Sequence, residues 1–163
     1  MSNRPLHTAL TYAHNRTEEE RGDVCRGLVS STVGWVRLQR IHHAAIIASD
    51  YERSKRFYTE ILGLRVVAEN YRAERGSYKL DLALPDGAQV ELFSFPDPPA
   101  RPSRPEACGL RHLAFVVEDV AAALAELRDR GVRTEQVRVD EYTGKRFSFF
   151  FDPDDLPLEL YEA

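Results

Sequence analysis

Cysteine is almost missing: Cys25 and Cys108 are the only two in 163 residues. That is far from the density of a disulfide scaffold, and their separation is not that of a thiolate metal site. No apolar run approaches the ~20 residues that a membrane span requires, and the N-terminus has no compact hydrophobic region ahead of a cleavage site. Charge of neither sign dominates. A formal net charge of -4 gives no electrostatic footprint for nucleic acid or an anionic membrane. The chain is therefore expected in the reducing cytoplasm, with a small molecule as its partner and with neither nucleic acid nor membrane. Its length suits a single domain of ordinary size.

Residues 1–35 have no sustained hydrophobic period and carry scattered charge, so they are expected to form a poorly ordered extension. One reading of the extension is an upstream start, with Val36 as the true initiator. From Arg40 onward the chain repeats itself. "HAAIIASDYERSKRFYTEILGL" is a strand, an Asp at the turn, and a helix with Phe57, Tyr58, Ile61 and Leu62 at helical spacing that stops at Gly63. "HLAFVVEDVAAALAELRDRGV" follows the same plan and closes at Gly131. In each, an Asp lies 7 residues after the strand His: Asp50 after His43, Asp119 after His112. Three strand-like runs follow each helix, "RVVAENY", "YKLDLAL" and "AQVELFSF", then "RTEQVRV", "FSFFF" and "LPLELYE". The expected class is α+β, a tandem βαβββ repeat over residues 36–163. Module 1 covers about 40–95, a Pro-rich linker about 96–109, and module 2 about 110–163.

The repeat singles out four residues. Glu91 lies 48 residues after His43 and Glu159 lies 47 after His112, each in the last strand of its module. Strand alternation places Glu91 with Phe93 and Phe95, and Glu159 with Tyr161, away from the leucine-rich faces that suit packing under a helix. A carboxylate on an otherwise apolar face is costly unless paired or bound to metal, so two acids and two histidines at matched spacing favour a metal site. Alternation also puts His42 and His43 on opposite faces, and His43 is the one expected to serve.

The motifs "HHAAI", "FYTEILGL", "VELF", "GLRHLAFVVEDV" and "DPDDLPLELYE" resemble those of the vicinal oxygen chelate superfamily, with Asp155 where the family usually has glycine. The stretch "RPSRPEACGLRHLAF" resembles bacterial glyoxalase I-like members. The resemblance implies a cup of mixed β-sheet with helices outside, a homodimer, and one divalent metal (Ni, Zn, Co, Mn or Fe) held by His43, Glu91, His112 and Glu159. Whether the cup forms within one chain or across two stays open. The implied reaction is proton transfer beside a carbonyl, a glyoxalase I-type lyase or isomerase with Glu159 as base and Glu91 assisting. The alternatives are an epimerase of another oxygenated substrate and a non-catalytic binder of the bleomycin-resistance type.

Lys145 and Arg146 in "YTGKRF" are candidate contacts for an anionic substrate group, with Phe93 and Phe95 lining the same site. Glyoxalase I enzymes resembling this chain carry Arg and Asn where Ile47 and Phe95 stand, so a substrate smaller or more apolar than a glutathione adduct is expected.

Overall fold

The structure is a computed structural model that describes residues 36–163; the reading of residues 1–35 lies outside the described residues. Within Gln39–Ala163, a single compact unit, the repeat is realised strand by strand. The first module runs β1 (His43–Ala48), α1 (Tyr51–Arg56), β2 (Arg65–Arg72), β3 (Ser77–Ala83) and β4 (Gln89–Ser94). The second runs β5 (Leu113–Val117), α2 (Val120–Asp129), β6 (Arg138–Val139), β7 (Arg146–Phe151) and β8 (Pro157–Glu162). Each forms a four-stranded mixed sheet, in the orders β1-β4-β3-β2 and β5-β8-β7-β6. The first and last strands of each module pair in parallel, which the intervening helix makes possible.

The repeated Asp is a cap. Asp50 accepts from the Arg53 amide at 3.0 Å, and Asp119 from the amides of Ala121 and Ala122 at 2.8 and 3.1 Å, satisfying donors that the first helical turn leaves free. Gly63 and Gly131 close the helices at φ 71° and 77°, where a side chain would be strained. Asp155, standing at the family's glycine, takes the same left-handed conformation at φ 67°.

Two expected elements differ. The first helix widens after Arg56 into a π-type turn, Phe57–Ile61, where the adjacent Phe57 and Tyr58 are both buried. The run "RTEQVRV" is a strand only at Arg138–Val139, plus one bridge between Thr134 and Phe150. Ser148 Oγ takes up the Gln136 carbonyl between them, so a side chain replaces ladder bonds on this charged edge.

The leucine faces of both sheets pack under the helices as one cluster. Leu80, Leu82 and Leu92 from one sheet and Leu158 from the other are fully buried, as are Val120 and Leu124 of α2. Each such side chain contributes about 1.5–3 kcal/mol relative to exposure. Tyr58, also fully buried, donates to Asp152 at 3.1 Å, tying the first module to the turn between β7 and β8. The opposite face of each sheet is left open, and it carries the polar residues of interest.

Candidate functional site

Register explains how the pairs form. In the first sheet Ala45 lies beside Glu91 and His43 beside Gln89, so His43 and Glu91 are diagonal neighbours on the open face. His43 Nε2 is 3.7 Å from a Glu91 carboxylate oxygen. In the second sheet Ala114 lies beside Glu159, and His112, one residue ahead of β5, brings Nε2 to 2.9 Å from Glu159. Both glutamates are only 9% exposed. Carboxylates so withdrawn from water require partners, which each histidine supplies in part.

The surroundings of the two pairs differ. Asp81 is the cross-strand neighbour of Glu91, and Lys79 bridges them, with an ion pair to Asp81 and a 3.0 Å contact to Glu91. Hydrogen bonding to Asp81 and then to Glu91 holds the Lys79 ammonium above the ordinary lysine pKa. In the second sheet the matching positions are Phe147 and Phe149, which face Tyr161 and Glu159. The rings of His112 and Phe149 meet edge to face at 5.3 Å. Among the described residues no lysine or arginine pairs with Glu159, and His112 is its polar neighbour.

The far ring nitrogens differ as well. The His42 and His43 rings do not diverge to opposite faces: their Nδ1 atoms lie 2.9 Å apart at the start of β1, where the His42 carbonyl still accepts from the Gln89 amide. Arg111 is 3.3 Å from His112 Nδ1. A guanidinium only donates, so this nitrogen accepts and the ring proton sits on Nε2, toward Glu159.

Among the described residues no three His, Cys, Asp or Glu side chains come together as a metal cluster. The four predicted ligands stand as two pairs, each offering an imidazole and a carboxylate. In donor chemistry they fit two halves of a divalent-metal site. Ligation through Nε2 of His112 requires its proton to move to Nδ1 and Arg111 to turn away.

The remaining predicted contacts are divided. Phe93 stands on the open face beside Glu91, and Phe95, one residue past β4, stacks on it at 6.2 Å with Arg72 over both rings. Arg146 begins β7 on the face opposite Phe147 and pairs with Glu162 at 2.8 Å, so it does not join the site. Lys145 precedes β7, its amide bonded to Thr143 and its carbonyl to Asp140. Sequence inspection missed Arg111 and Arg138, whose guanidinium lies 5.0 and 5.2 Å from the rings of Phe147 and Phe149. The only signal for Arg111 was its position next to His112.

A profile described as Glyoxalase/Bleomycin resistance protein/Dioxygenase superfamily matches residues 40–160. The uncharacterized protein YwkD of Bacillus subtilis (strain 168) is 63% identical over 125 residues, covering 77% of this chain and 98% of the relative. The solved glyoxalase family protein from Enterococcus faecalis superposes with a TM-score of 0.72 at 53% identity, covering 76% of this chain and 98% of that one. The 2-epi-5-epi-valiolone epimerase of Actinomyces sp is 30% identical over 141 residues, 74% of this chain and 77% of the enzyme.

Proposed function

This chain belongs to the glyoxalase/bleomycin resistance protein/dioxygenase superfamily, and we propose that it is a divalent-metal-dependent lyase or isomerase that moves a proton beside an oxygenated carbon of a small molecule. The observation that carries this is the pair of matched half-sites, His43 with Glu91 and His112 with Glu159, each with its carboxylate withdrawn on an open sheet face. Two donors per sheet make an incomplete metal site, so a second copy of the chain completes it, the first module of one copy facing the second module of the other. Uncovered apolar residues on the edge strands support that partner: Ile47 of β1 is 55% exposed and Val116 of β5 is 73% exposed.

A bound Ni, Zn, Co, Mn or Fe ion would supply Lewis-acid stabilisation of negative charge on the substrate oxygen. The protein residues divide the remaining work. Glu91, tied to Lys79, is committed as a ligand, while Glu159, free of any lysine or arginine among the described residues, takes the proton and returns it. Phe93 and Phe149 beside the two carboxylates exclude competing water. An epimerase is the second reading, favoured by the carboxylate in each half; two bases would let the proton return from either face.

Complementation tests the proposal. Purified His43→Ala and His112→Ala variants are each expected to be inactive, whereas dissociating and mixing them rebuilds one intact site in each mixed dimer. If the copies mix at random, metal-dependent deuterium exchange beside the substrate carbonyl returns to about a quarter of wild type. A mixture as inactive as its components would remove the two-copy site. Full retention of label at that carbon with metal-loaded protein across α-oxygenated carbonyl compounds would remove the proton-transfer chemistry itself.

A further inference from the structure

The linker and the start of the second module bend over the open face of the second sheet and enclose a pocket of about 220 Å³. Its wall includes Arg101, Arg104, Arg111 and Arg138 together with Phe149 and Phe151. Phe149 joins this pocket to the site already described, since it contacts the His112 ring and is the cross-strand neighbour of Glu159.

The charges in the wall do not cancel. Of its three acids, Glu135 is taken by Arg138 at 2.8 Å and Asp155 by Arg133. The Arg101 guanidinium donates to the carbonyls of Leu110 and Arg111, which fixes its place and leaves its charge uncompensated. Arg104 and Arg111 have no carboxylate partner among the described residues, against a single remaining acid, Glu106. The guanidinium of Arg111 lies 6.0 Å from the Phe149 ring centroid and that of Arg138 5.2 Å from it. Arg111 spends one nitrogen on His112 Nδ1 at 3.3 Å and Arg138 one on Glu135, and the remaining N–H donors of Arg111 are left for an anionic acceptor.

We infer that this pocket is an oxyanion subsite: it holds a carboxylate or phosphate group of the substrate, chiefly through Arg111 and Arg104, while the reacting carbon lies at Glu159. The inference rests on the assignment of His112 and Glu159 to the reaction site, and it narrows the substrate to a small oxygenated compound that carries an anionic end. The volume agrees with one such group, since it falls below the ~300 Å³ at which pockets for drug-sized ligands begin.

Calorimetric titration of the full chain with two probes, pyruvate and inorganic phosphate, tests this, with metal content measured on every sample. At least one probe is expected to bind. Arg111→Gln and, independently, Arg104→Gln should weaken it by about tenfold or more. Arg146→Gln, on the opposite face of β7, should leave it unchanged. Arg104→Gln lies in a loop outside the core, so it keeps the test informative if Arg111→Gln folds poorly. No heat from either probe, or equal affinity in wild type and both pocket variants, overturns the subsite. Failure of the His43 and His112 mixing experiment with intact probe binding would instead remove the two-copy site and leave the anion pocket standing.

Discussion

His42 and His43 meet through their Nδ1 atoms at 2.9 Å, with ring planes at 87°. His43 thereby turns Nε2 toward Glu91 while its other nitrogen can donate to the neighbouring ring. Such an outer partner fixes the tautomer of a ligating histidine and typically accounts for 10–100-fold in metal affinity. His42→Ala is therefore expected to weaken binding by about that factor, and His43→Ala by far more. Competition against a chelator of known affinity measures both; wild-type affinity in His42→Ala would show the contact to be idle.

The two glutamates should fail differently. Glu159→Gln is expected to lower turnover by about 10²–10⁴-fold with little change in thermal midpoint, since it would remove the proposed proton carrier. Glu91→Gln should show first as reduced metal content, because the proposed role of that Lys79-paired carboxylate is ligation. Equal metal loss in both variants, with proportional loss of activity, would cancel the division of roles.

Hemithioacetals of glutathione should be poor substrates. Ile47 and Phe95 are apolar where resembling enzymes bind the tripeptide, and the nearby Arg72 is engaged by Ser77 at 2.6 Å. Turnover of the methylglyoxal adduct by Ni- and Zn-loaded protein should fall below the usual range of about 10⁴–10⁸ M⁻¹s⁻¹ in kcat/KM. A value within that range would reverse the substrate assignment.

Asp119 is a structural repeat rather than part of the site. Asp119→Ala should cost about 0.5–2 kcal/mol of stability, read as a lower denaturant midpoint, with metal stoichiometry unchanged. Loss of metal without loss of stability would contradict the cap.

Acid sensitivity should trace in part to Glu69. Hydrogen bonds from Lys55 and then from Tyr51 hold its pKa below the ordinary 4.5. A depressed folded-state value means that its stabilising effect is complete above the unfolded pKa and is lost as pH falls through the folded one. The stability gap between wild type and Glu69→Gln should thus be present at neutral pH and shrink as the solution is acidified below about 4.5. Urea midpoints over that interval check it, and a gap that widened on acidification would have the wrong sign.

Much of the fold was legible because duplication exposes it. The Asp seven residues past each His, the closing Gly63 and Gly131, and the leucine faces recur at matched spacing, and local chemistry enforces each. The pairing of His43 with Glu91 followed from alternation within regular strands, and that of His112 with Glu159 from the matched spacing of the repeat, since His112 stands one residue ahead of β5. Alternation failed at His42, whose ring turns to meet that of His43, and at 133–137, where the side chains of Arg128 and Ser148 take carbonyls that a ladder would use. Arg111 was invisible for a different reason. Its role depends on a linker folding back over a distant sheet, which no local period encodes.

The two sheets share a backbone plan yet part company at matched positions. Lys79 and Asp81 stand beside Phe93 and Glu91, whereas Phe147 and Phe149 stand beside Tyr161 and Glu159. Two halves with unlike walls lack the two-fold equivalence that identical walls would give. A flat substrate carbon held between them would meet ammonium and carboxylate on one side and aromatic rings on the other, so its two faces would be told apart. On the proposed reaction, the handedness of the product would reside in these two unlike positions. The four proposed ligands, His and Glu in both halves, would be blind to it.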